Sequence, residues 1–158
     1  MTVTAVLVWV LRLFGALYLV GGVWMARQMW FWVRMGDTID AFYAAAESIQ
    51  AETEGRAPGP VEKDDIGRSW WLLIGAVLTA LCGLAMLLGH RLAPLLLSLL
   101  IAQQLLYFIR QRRRELRAVT ADAKAEERPS ETTVNGFHGA LVMAVLAGWL
   151  GWQGALWG

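Results

Sequence analysis

The chain has 158 residues, of which 57% are apolar and only 17% charged, and its formal net charge is +1. A soluble domain carries about 25% charged residues, so a deficit gathered into long uncharged stretches points to lipid as the solvent. The near-neutral balance excludes a global basic field for nucleic acid, and the lone cysteine, Cys82, excludes an intramolecular disulfide.

Crossing roughly 30 Å of hydrocarbon takes about 20 apolar residues in a helix. Four runs qualify: 5–33, 70–88, 92–109 and 136–157. They predict an all-α membrane protein, a bundle of four transmembrane helices forming a single membrane domain. No cleavable signal peptide is expected, because residues 1–10 lack a basic n-region and the first apolar stretch is too long for an h-region.

The first run is longer than a bilayer needs and contains Arg12 and Arg27. A charge within a span invites a functional hypothesis. Arg12 either snorkels to the interface as an anchor, or turns inward to bind an anion, a quinone oxygen or a polar side chain.

Residues 36–69 are polar. Asp37, Thr38 and Asp40 suit a helix N-cap, and Ile39, Phe42, Tyr43, Ala46 and Ile49 recur at helical spacing. This predicts an amphipathic interfacial helix in the first loop, lying on the membrane or against the bundle. The Gly-Arg-Ala-Pro-Gly-Pro stretch, residues 55–60, then acts as a linker.

The second run contains Gly75, Thr79 and Gly83 at spacing four, small residues that let helix backbones approach closely. Only Gly89, His90 and Arg91 separate it from the third run, so the two form a tight hairpin. Pro94 suits the first turn of the return helix, where a missing N–H is no loss. Gln103 and Gln104 lie deep in the third run. Buried amides in membranes mostly bond to neighbouring helices; the alternative is a small polar pocket that, with Arg12, holds a cofactor.

Residues 110–128 extend the third helix into water, and Pro129 stops it. Arg110, Arg112, Arg113, Arg114 and Arg117 form a basic cluster. Such a cluster serves as an orientation signal and solvated face, or as a contact for anionic lipid or a partner. Ser130 or Thr132 suits the cap of the fourth helix. That helix carries Gly136, Ala140, Ala144 and Gly148 at spacing four, a packing seam within the bundle or in a homodimer. Trp30, Trp32, Trp70, Trp71, Trp152 and Trp157 fall near the ends of runs, as interface markers do.

Twelve of the fourteen basic residues lie at the end of the first run or in the two polar segments, 34–69 and 110–135. The positive-inside rule places both segments in the cytoplasm. All thirteen acidic residues join them there, which leaves none inside a span. A proton-coupled multidrug exporter, which needs such a carboxylate, is disfavoured. His90 and His138 are near opposite ends of the bundle, so haem is disfavoured, as is zinc for want of ligand spacing.

Arg12-Leu13-Phe14-Gly15 followed by Gly21-Gly22, together with the glycine-ended helix, basic turn and leucine-rich return over residues 83–97, resembles the DoxX-like superfamily of small four-helix membrane proteins. The long segment 36–69 departs from that pattern, and Arg27 matches the family's second basic position only loosely. The resemblance implies a partner or subunit of a redox system, often linked to quinone or thiol chemistry. It would make Arg12, Gly15, Gly22, Gly83, Gly89 and Arg91 the family-like positions.

The leading expectation is a small accessory or assembly protein of the inner membrane, associated with another membrane protein or with itself. The alternatives are a quinone-linked oxidoreductase subunit and a small anion or metabolite carrier. A reporter active only in the cytoplasm, fused after Gly158, should be silent; activity there would overturn the expected topology.

Overall fold

The computed structural model describes residues 2–55, 66–117 and 131–157. Four helices account for nearly all of them: α1 (Val3–Glu54), α2 (Ile66–Leu88), α3 (Ala93–Arg117) and α4 (Glu131–Trp152). Each contains a stretch long and apolar enough to cross a membrane: Val3–Gly36, Trp70–Leu88, Ala93–Leu116 and Thr133–Trp152. The chain is a multi-pass membrane protein built as a four-helix bundle.

The helix ends have local causes. Gly89 and Gly154 both take positive φ, 68° and 66°. At Gly89 the amides of Gly89 and His90 donate to Met86 and Ala85; at Gly154 those of Gly154 and Ala155 donate to Gly151 and Leu150. Both are Schellman caps, which stop a helix and satisfy its last carbonyls. The fourth helix therefore ends at Trp152 and not at Trp157, where the apolar run ends. It also starts five residues earlier than Gly136, with Glu131 in its first turn complementing the dipole. Thr132 thus lies inside the helix, while Ser130 and Pro129 lie outside the described residues. Pro94 sits in the first turn of α3 as expected.

A break in front of Asp37 does not occur. Residues 37–54 are helical, but they continue α1, a single helix of 52 residues. A glycine inside a helix costs only about 1 kcal/mol, and no proline near Gly36 removes a hydrogen bond. The alanine-rich stretch that follows propagates the helix, which ends at Gly55 (φ 66°). The linker beyond Gly55 is outside the described residues, as is any extension of α3 past Arg117.

The chain divides into two compact units, residues Met1–Val23 with Gly75–Gly158, and residues Trp24–Ile74. The first holds the core. Along α3 the residues Ala93, Leu97 and Leu100 are buried, and along α4 Ala140, Met143, Ala147 and Leu150. The alternating three- and four-residue spacing is that of an antiparallel knobs-into-holes seam. Phe108 meets Phe137 edge-on, with ring centroids 5.4 Å apart, near its far end. Leu11 of α1, Cys82, Ala85 and Met86 of α2, and Leu156 after α4 complete the core.

The α1–α2 contact is closer still. A methyl group placed on Gly15 would lie 2.9 Å from the Gly83 carbonyl oxygen and 2.5 Å from the Leu87 nitrogen. One on Gly83 would lie 2.7 Å from the Gly15 oxygen, and one on Gly22 would lie 3.0 Å from that of Ala76. Here two backbones touch, and only glycine fits. The remaining small residues divide. Ala140 is fully buried and Ala144 packs against the core, whereas Gly136 and Gly148 face open space. The spacing-four stripe of α4 is thus not one bundle seam; its two glycines point away from it.

The second unit contains the rest of α1. Its Trp30 and Trp32 are about half exposed, and the Arg34 guanidinium lies over the Trp30 ring, 5.7 Å from its centroid. Phe42 and Ile49 of the predicted amphipathic face are 72% and 64% exposed.

Gly83→Leu should destabilise the detergent-solubilised protein by about 3 kcal/mol or more, because the colliding atoms belong to backbone. Gly148→Leu, facing open space, should stay within about 0.5 kcal/mol of the parent. Thermal unfolding of the two variants side by side checks both.

Candidate functional site

Polar chemistry in the first unit gathers at two places. One is the hairpin end, where α2 turns into α3. After α4, residues 153–157 run back to that turn and pair with it. The Trp157 amide donates to the Gly89 oxygen (3.0 Å) and the Arg91 amide to the Trp157 oxygen (3.1 Å), a parallel bridge of two bonds. Arg91 adds its side-chain Nε to the Leu156 oxygen at 3.2 Å, and the Trp157 indole N–H donates to the Leu88 oxygen. Leu156 is buried in the core, and the His90 and Trp157 rings meet edge-on at 5.9 Å. This clasp satisfies backbone groups that a turn at a membrane boundary would otherwise leave bare.

Arg12 lies beside the same turn. Its Nη2 is 3.7 Å, and the Trp157 ring 3.5 Å, from where a Gly89 Cβ would be, so both groups pack against this turn. Trp9, one turn back on α1, stacks on the guanidinium at 5.7 Å. The Nε atom of Arg12 is buried and has no hydrogen-bond partner.

The second polar place is the other half of the bundle. The Gln103 amide lies against Gly75, where an added methyl group would stand 3.0 Å from its Nε2, and the Thr79 hydroxyl donates to the Gly75 oxygen at 2.8 Å. Gln103 thus serves the α2–α3 contact, as a packing amide does. Gln104 continues the buried seam of α3, and after a half-buried Tyr107 so does Gln111, only 5% exposed. Both Gln104 and Gln111 bury a side-chain oxygen with no partner. The Tyr18 hydroxyl reaches toward Gly139, 3.4 Å from where a Cβ on that glycine would lie.

Arg12 and the glutamines are therefore two places and not one pocket. Fourteen residues of α2 separate Gly75 from Gly89, about 21 Å of helix. One headgroup cannot touch both. In the basic cluster, Arg110, Arg112, Arg113 and Arg114 are exposed, and Arg112 pairs with Glu115 at 2.6 Å. The Arg117 side chain is outside the described residues. Among the described residues no three His, Cys, Asp or Glu side chains could hold a metal. His90 belongs to the clasp, its Nδ1 accepting from the Leu92 amide at 3.1 Å, and His138 is exposed on α4.

Sequence reasoning passes over Gln111, and gives Trp157 as an interface marker but not as part of the clasp. Gln111 is legible in principle, because 93, 97, 100, 104, 107 and 111 alternate steps of four and three. The place of Trp157 in the clasp is not: its partners are Leu88 and Gly89, and no local pattern links the two segments.

In comparisons with known proteins, no family model matches the chain, and no curated protein or solved structure matches it.

Trp157→Phe keeps the ring but removes the indole donor, and should cost about 1 kcal/mol. Gly89→Ala should cost about as much through its left-handed backbone (φ 68°) alone. Unfolding of each variant in detergent reads the difference; a neutral Gly89→Ala would mean that the turn is not held as described.

Proposed function

We propose that this protein is an accessory or assembly protein of the inner membrane, with its termini on the periplasmic side, that attaches to a larger membrane complex through the continuation of α1. One observation carries the reading. The helix runs on for residues 37–54, about 27 Å, past the apolar stretch that ends at Gly36, with Phe42 and Ile49 turned outward. Large apolar side chains exposed outside lipid mark an interaction surface.

Charge favours a protein over a lipid surface as the target. Residues 37–54 carry five acidic side chains and no basic one. An anionic leaflet repels such a helix. An apolar groove rimmed by basic residues accepts it, in the helix-in-groove manner. A DoxX-like role in a redox system is the narrower form of this proposal. A quinone-linked subunit with Arg12 and Gln103 at one quinone is less favoured, because their places along α2 lie about 21 Å apart; an anion carrier would use Arg12 as its binding charge.

A photo-crosslinking residue at position 42 or 49, activated in native membranes, should yield one adduct with a distinct polypeptide. Phe42→Glu with Ile49→Glu should abolish co-extraction of that polypeptide while leaving the helix content by circular dichroism unchanged. Crosslinks only to lipid or to a second copy of the chain would overturn the proposal.

A further inference from the structure

We infer that the hairpin end holds the phosphate of an anionic phospholipid, bound by Arg12 and Arg91. Arg12 lies nine residues inside α1, about 14 Å from its start, at the level of the α2–α3 turn. Its Nε is buried and has no hydrogen-bond partner among the described residues, and its guanidinium lies against the Trp9 ring beside the Gly89 turn. Arg91 commits its Nε to the Leu156 oxygen, which orients the guanidinium and leaves its two terminal nitrogens free to donate. Among the described residues no carboxylate pairs with either arginine.

Two guanidinium groups at the hairpin turn that no described carboxylate pairs call for an oxyanion. The planar fork of arginine matches the oxygens of a phosphate. The surroundings favour a lipid as its source. Trp9, Trp152 and Trp157 are all exposed at this end, where indoles mark the headgroup level. On the bilayer side of Arg12, α1 exposes Leu13, Leu17 and Val20, an apolar face suited to acyl carbons. A zwitterionic headgroup would bring its ammonium toward two like charges, so the lipid is one with net negative charge. This site is separate from the basic cluster of α3 at the opposite end.

Native mass spectrometry of the full chain, titrated in detergent with phosphatidylglycerol, phosphatidylcholine or inorganic phosphate, tests the inference. One phosphatidylglycerol should remain bound at collision energies that strip phosphatidylcholine. Its retention should fall at least fivefold in Arg12→Gln, fall partly in Arg12→Lys, and persist when Arg112, Arg113 and Arg114 are all changed to Gln. Should Arg12→Gln not fold, Arg91→Gln takes its place with the same expectation. Retention unchanged by substitution of either arginine, or equal for the two lipids, would overturn the site. Inorganic phosphate binding as well as phosphatidylglycerol, or displacing it, would overturn the lipid assignment in favour of a free anion.

Discussion

The bundle depends on a contact in which α1 and α2 meet backbone to backbone at Gly15, Gly22 and Gly83. In lipid there is no hydrophobic gain from hiding one leucine against another. Helices associate through close packing and through polar contacts that hydrocarbon cannot replace. At this crossing the glycines remove the side chains that would hold the axes apart. Leu11 and Tyr18 on one helix and Cys82 and Met86 on the other are then brought against the α3–α4 seam.

The same solvent explains what would be alarming in a soluble protein. Leu13, Leu17 and Val20 of α1 are all more than 60% exposed, and so are Val142 and Val145 of α4. Lipid tails cover such residues at no cost. Backbone is another matter, because an unpaired amide in hydrocarbon costs several kcal/mol. Hence the two Schellman caps and the clasp by which residues 153–157 pair with the hairpin turn. The clasp also positions Arg91, whose side chain is tied down by the Leu156 carbonyl.

Polarity within the bundle is sorted along its length. Toward the hairpin the buried seam of α3 is Ala93, Leu97 and Leu100; away from it the seam becomes Gln104, Tyr107 and Gln111. The amides suit helix-to-helix bonding, whereas Arg12 at the other end carries a charge that no described residue neutralises. A fold can keep such a charge when it lies where headgroups or water reach it.

Four spans, a tight α2–α3 hairpin and an all-helical class were determined by the sequence itself, because hydrocarbon leaves a chain few alternatives to a helix of about 20 apolar residues. The helical periodicity of residues 37–49 was legible too, but not that it prolongs α1, since a lone Gly36 is a weak stop. The glycines of α2 and α4 looked alike by spacing. Tertiary structure alone separated Gly83, pressed against another backbone, from Gly136 and Gly148, where an added methyl group would meet no described atom within 4 Å. It alone also set Arg12 apart from Gln103, and joined it to Gly89 and Trp157. The reason is physical: lipid solvates every apolar face of a helix equally, so hydropathy determines which segments cross, and only side-chain fit between helices decides which faces meet.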